Sequence, residues 1–173
     1  MKSRTLDIGV LSYQRCQELM ETARDPLAGK PIGNNTRIFE RGPGIYAVQL
    51  HWTDIITFYE NGEVQIDTGG WWTMVTKSRI RDLAGISLYT NRKGERVAQS
   101  DKARLRTARR LAKALGITLE PGKWHPKWPD NYGTPEHEAA VDQYMAFQSE
   151  VNKASEVPFR DRMVFGKLGG VVR

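Results

Sequence analysis

The sequence predicts an α+β protein: a small twisted antiparallel β-sheet, laid out as a meander, covered by two or three helices. Three observations lead there. Hydrophobic residues make up 39% of the 173-residue chain and aromatics 9%, enough to bury a core and too much for a wholly disordered polymer. From Ile45 to Ile66 apolar residues recur with a period of two, which lines one face of a strand. On either side of that stretch they recur at the three-to-four spacing of amphipathic helices.

Residues 11–24, LSYQRCQELMETAR, set Leu11, Cys16, Leu19 and Met20 near one helical face. Next, DPLAGKPIGNNTRIFERGPG (25–44) is so dense in proline and glycine that it reads as a long loop or meander. IYAVQLHW then alternates, which makes His51 a sheet residue, and DIITFYENGEVQID holds Asn61-Gly62 between two β-rich arms. A two-residue turn at Asn61-Gly62 sets Tyr59 opposite Val64 and Thr57 opposite Ile66. Gly69-Gly70 permits a reversal or bulge before WWTMVT, a third strand, and ISLYTN with ERVAQ extends the same sheet.

Ser100 caps DKARLRTARRLAKALG, in which Leu105, Ala108, Ala112 and Leu115 form an apolar stripe that Gly116 ends. PGKWHPKWPDNYGTP (121–135) is a proline- and aromatic-rich connector. Thr134 caps a last helix with Pro135 at its first position and Ala140, Tyr144, Phe147 and Val151 along one side. VPFRDRMVFGKLGGVVR reads as a short strand and a tail. The expected division is an α+β core domain over 1–120, with the connector, acidic helix and C-terminal strand of 121–173 packing back on it.

Chemistry is sparsely signalled. One cysteine, Cys16, excludes an internal disulfide framework and is expected as buried packing in a reducing cytoplasm. The N-terminal MKSRTLDIGV carries scattered charges rather than an apolar leader, and no stretch is long enough to cross a bilayer, so no membrane partner is expected. His51, His125 and His137 stand in no metal-ligand spacing with a cysteine or a second histidine. His51-Trp52-Thr53 is a single H-x-T, where two-histidine phosphoesterases need two, and His137-Glu138 lacks the second histidine of a metalloprotease helix. Phosphate-cradling glycine loops and a nucleophile elbow are absent from the sequence. Asp54, Glu60, Glu63 and Asp67 could pair carboxylates within the hairpin, with Asp54 and Asp67 the two able to approach across strands. No catalytic residue and no cofactor is assigned.

Charge is more telling. The chain carries a net +6, with a pI near 9.5. From Val75 to Lys113, twelve Lys and Arg stand against three acids, whereas 134–157 carries five acids against one lysine. A phosphate-binding face is one reading. The other is internal neutralisation, with the acidic helix lying along the basic one; it would still leave basic surface over. Within GGWW, alternation in a strand would send Trp71 and Trp72 to opposite faces, one to the core and the other outward. Trp72, Lys77, Arg79, Arg81 and Lys102 are therefore the candidate nucleic-acid contacts, together with Arg106, Arg109 and Arg110 of the basic helix. Trp124 and Trp128, in KWHPKW, either stack on bases or staple the connector to a core.

Asn34-Asn35-Thr36, YAVQLHWTDII and GGWWTMVTKSRI together resemble small proteins encoded by tailed bacteriophages and related prophages. Those show a late F-x-D-G-M element, present here as Phe159-Arg160-Asp161-Arg162-Met163 with Arg162 in place of the glycine. The resemblance spans about residues 33–83 and 158–166 and implies a phage setting in the cytoplasm of a host cell, with no particular chemistry. It also implies that Gly69, Gly70, Trp71, Thr73, Thr76 and Arg79 form one unit, with Trp71, aromatic in that pattern, as the core tryptophan and Trp72, at a variable position, facing outward. The leading expectation is a non-enzymatic accessory protein that binds nucleic acid. The alternatives are a module that binds a host or phage protein, and a metal-dependent enzyme acting on phosphoesters or nucleotides.

Overall fold

The computed structural model of the chain describes residues 8–130 and 132–172. Residues 1–7, where charges argued against an apolar leader, lie outside them, as do Asn131 of the connector and Arg173 of the tail. The protein is α+β, and its contacts cluster into two units, Met1–Ala98 with Pro158–Arg173, and Gln99–Val157. The basic helix thus belongs with the acidic helix rather than with the sheet, as a 1–120 core domain would have it.

The first unit is organised by a six-stranded antiparallel sheet in the order β1-β2-β3-β4-β5-β9. Its strands are β1 (Lys30–Gly33), β2 (Thr36–Gly42), β3 (Ile45–Leu50), β4 (Thr53–Tyr59), β5 (Val64–Asp67) and, from the C-terminal region, β9 (Arg162–Phe165). One row of paired residues runs across it: Ile38, Val48, Ile56, Ile66 and Met163, each facing the next and none more than 4% exposed. Such cross-strand apolar neighbours stabilise a sheet and lock its register. Two helices contact it: α1 (Tyr13–Glu21) on β2 and β3, and α2 (Met74–Ala84) on β4. They contribute Cys16, Met20, Ile80 and Leu83 to the core.

Several expectations give way here. Of the two readings of residues 25–44, loop or meander, the second holds for 30–42, which form a hairpin of β1 with β2. Pro31 is compatible because β1 is the edge strand, where alternate N–H groups face away from the ladder, and because the register of β1 against β2 shifts at Pro31/Gly33. His51 is not within a strand: Leu50 pairs with Thr53, so His51-Trp52 is a two-residue turn with His51 at φ 54°. The Asn61-Gly62 hairpin exists with a different register. Phe58 faces Val64 and Ile56 faces Ile66, while the Tyr59 N–H donates to the Glu63 carbonyl at 3.0 Å. The loop is therefore three residues long, with only Gly62 left-handed, at φ 84°. Burial decides the matter: this register sets Ile56 and Phe58 against apolar partners, where the expected one sets Thr57 against Ile66.

WWTMVT is not a strand. β5 stops at Asp67, whose Oδ1 accepts from the Gly69 N–H at 2.8 Å, and Gly69-Gly70 turns the chain at φ 56° and 81°. Thr73 then caps α2, its Oγ1 accepting from the Thr76 N–H at 3.2 Å. Likewise β6 (Ile86–Thr90) and β7 (Arg96–Ser100) do not extend the main sheet; with β8 (Val157–Pro158) they form a second one, in the order β6-β7-β8.

The second unit pairs α3 (Asp101–Leu115) with α4 (Pro135–Ser155) around Ala108, Ala112, Phe147 and Val151, with Leu111, Ile117, Leu119 and Trp124 at the margin. Ser100 and Thr134 cap the two helices as expected. The buried side of α3 is rotated from the expected stripe toward Ala103 and Thr107, leaving Leu115 62% exposed. Among the described residues, no helix is long and apolar enough to cross a membrane.

Candidate functional site

The sequence-predicted contacts divide between the units. Along α2, Thr76, Arg79, Ile80 and Leu83 fall at helical i, i+3, i+4 and i+7 and point inward, so Arg79, 5% exposed, is a core side chain. Arg81 is exposed and held 2.8 Å from Asp82. Trp72 is half-buried: its ring stacks on Phe159 at 5.0 Å, with the Arg96 guanidinium at 4.9 Å and the Lys77 ammonium at 5.4 Å from its centroid. Trp71 is instead 65% exposed, which reverses the expected roles of the two tryptophans. The parity argument presupposed a strand, and both residues lie in the approach to a helix. Trp72, Lys77, Arg79 and Arg81 consequently do not compose an open phosphate-binding face.

What this region does build is a groove. The β3–β4 turn and the segment from Thr68 to Thr76 enclose a cavity of about 510 Å³ lined by Leu50, His51, Trp52, Thr53, Trp71 and Thr73 among others. The two segments approach closely: a Cβ on Gly69 would lie 2.7 Å from Thr53 Cγ2. Among the described residues, no Lys, Arg, Asp or Glu lines the cavity. Across the turn lies a second hollow of about 340 Å³, bounded by Asn35, Arg37, Phe39 and Gln49, and sharing His51 and Trp52 with the first. The turn is anchored by the His51 N–H, which donates to the Asn35 carbonyl at 2.8 Å. Trp52, 93% exposed, was not singled out from sequence. The available signal was a tryptophan placed between two alternating arms, where a core residue has no reason to be.

In the second unit, α3 carries Lys102, Arg106, Arg109, Arg110 and Lys113, all exposed. At 3.6 residues per turn these five fall within an arc of about 100° and a length of about 16 Å, on the far side from Thr107, Ala108 and Leu111. Arg104 lies off that face, bonded to Asp101 at 2.6 Å with its guanidinium 4.5 Å from the Trp124 centroid. The acidic helix packs on α3 through Phe147 and Val151 rather than through charge. The Lys and Arg ion pairs of this unit run three residues along the chain, as in Lys123–Glu120, Lys127–Asp130 and Lys153–Glu150, and His125 lies 3.9 Å from Glu120. Among the described residues none reaches the five-cation face. Trp128 stacks edge-on with Tyr144 at 4.8 Å, and Trp124 packs against the helix core, so these two tryptophans serve as staples.

The remaining candidates are engaged elsewhere. Asp54 takes a bidentate grip from Arg41 at 2.9 and 2.6 Å, and Asp67 pairs with Arg162 at 2.9 Å, so each carboxylate has its own arginine. His137 is buried, its Nδ1 3.1 Å from the Asp130 carbonyl, and His125 Nδ1 lies 2.9 Å from the Pro126 carbonyl. Among the described residues no three His, Cys, Asp or Glu gather as a metal site would require. Cys16 is wholly buried, and that burial pushes its thiol up to about 12. Comparison with protein-family models, curated proteins and solved structures returns no match.

Proposed function

We propose that the protein is a phage-type accessory protein, working in the cytoplasm of a host cell, that binds nucleic acid through the outer face of α3. The observation that carries this reading is the row of five exposed cations on one side of a helix, with no acid among them and no internal ion pair drawn onto them among the described residues. Side chains at that spacing meet a backbone of regularly placed phosphates, and each contact releases condensed counterions. The reading assigns the protein no reaction. Lys102, Arg106, Arg109, Arg110 and Lys113 take phosphate oxygens, and α4 supplies the apolar support that presents them.

Replacing Arg106, Arg109 and Arg110 together by Gln tests it. The parent is expected to bind oligonucleotides with an affinity that falls steeply with salt. The triple variant should fold normally and lose about 0.7–0.9 in the logarithmic salt slope for each phosphate contact removed. An unchanged slope would remove α3 from the interface.

A further inference from the structure

We infer that the groove between the β3–β4 turn and the Thr68–Thr76 segment takes one unstacked nucleobase of a bound strand, held against the exposed indoles of Trp52 and Trp71. Three properties point to a flat, neutral ring. The cavity of about 510 Å³ has room for a ring and part of its sugar. Among the described residues its lining holds no Lys, Arg, Asp or Glu to set a counter-charge against a phosphate or an ammonium. Finally, the fold leaves two indoles, 93% and 65% exposed, on that one concavity. Among the described residues neither stacks on another ring, unlike Trp72, which Phe159 covers. A single exposed tryptophan needs no explanation, but two lining one cavity beside the exposed Val75 form a binding surface.

The polar groups suit the edge of a heterocycle. His51 and the hydroxyls of Thr53 and Thr73 line the same hollow, each able to donate or accept. Thr73 and Thr76 are themselves joined, Oγ1 to Oγ1, at 3.0 Å. Apolar faces with a few hydroxyls at their rim accept any base, because each base has a π-face and a polar edge. The site therefore adds affinity with little base preference. Choosing a nucleobase over other neutral rings rests on the nucleic-acid reading of α3, although the groove and that helix belong to different units.

The test uses adenosine, an oligothymidylate of about twelve nucleotides, and an abasic strand of the same length, with the parent protein, the Trp52→Ala/Trp71→Ala double variant and the α3 triple variant. Both tryptophans are largely in solvent, so the double variant should keep the parent's thermal midpoint. Adenosine should move the indole N–H resonances of Trp52 and Trp71 and leave that of Trp72 in place. The double variant should lose that response and bind oligothymidylate about tenfold or more weakly at fixed salt, with the parent's salt slope. It should bind the abasic strand as the parent does.

If oligothymidylate binds with a steep salt slope while adenosine moves neither indole and the double variant binds as tightly as the parent, the inference falls and the α3 reading survives. If adenosine moves both indoles but no strand binds, the α3 reading falls, and the groove is a site for a free nucleoside. If N-acetyltryptophanamide moves the two indoles and adenosine does not, the occupant is a side chain of a protein partner and the inference is overturned.

Discussion

Helices α2 and α3 are built from the same parts and use their charges in opposite ways. Each opens on a hydroxyl that accepts an N–H three residues on, Thr73 from Thr76 at 3.2 Å and Ser100 from Ala103 at 3.4 Å. Each closes on a left-handed glycine, Gly85 and Gly116. Each carries several Lys and Arg. Yet α2 turns Arg79 into the core, lays Lys77 over Trp72 and ties Arg81 to Asp82, whereas α3 holds five cations clear of the protein. The difference lies in where the cations fall in the helical period. Arg79 stands among Thr76, Ile80 and Leu83, the side α2 buries, whereas Lys102, Arg106, Arg109, Arg110 and Lys113 stand on the side of α3 away from Ala108 and Ala112. Counting charges along a sequence therefore says little about how many are available; their phase against the buried face does.

The comparison breaks most readily at Ile80, wholly buried in α2. Ile80→Ala should cost about 2–5 kcal/mol in denaturant unfolding, through lost burial and the cavity left behind. A loss below about 1 kcal/mol would mean that α2 does not sit on the sheet. Next in size is the tryptophan pair. Trp72→Ala should cost about 2 kcal/mol, since it uncovers Phe159 and strips two cations of their ring, while Trp71→Ala should stay within about 0.5 kcal/mol. Equal losses would make the two residues equivalent and close the groove as a surface. The smallest effect sharpens the likeness between the helices rather than the contrast. Thr73→Ala and Ser100→Ala should each cost about 1 kcal/mol, read from melting curves, and a neutral Thr73→Ala would deny α2 its cap.

What could be read from the sequence followed from whether the signal was local. Ser100, Gly116, Thr134 and Pro135 are caps and breakers that act on their own neighbours, and they marked α3 and α4 where these helices stand. The alternation of β3 and β4 was likewise visible, because each face is set by consecutive residues. The hairpin register was not, since the dipeptide Asn61-Gly62 suggests one turn and the burial of Ile56 and Phe58 imposes another. Strand β1 was masked by Pro31, which is excluded from a central strand and admitted at an edge. Helix α2 was masked by Thr73, Val75 and Thr76, whose β-propensity outweighed a cap and the spacing of Thr76, Ile80 and Leu83. The groove could not be read at all. Its walls come from residues 50–55 and 68–76, two segments that only the finished sheet brings together.

Cys16 carries a consequence of a different kind. It is the chain's lone thiol, wholly enclosed beneath α1, with its ionisation pushed up to about 12 from an ordinary 9.0 by burial. Because the folded value is the higher one, folding favours the protonated thiol, and stability should decline as pH climbs from about 9 toward 12. At neutral pH the native molecule should ignore a thiol-reactive dye, while a chain opened by denaturant takes it up at once. Labelling then proceeds only when α1 lifts, so its rate is a clock for that opening. The protein carries, at a single internal atom, a reporter of how often its first unit breathes.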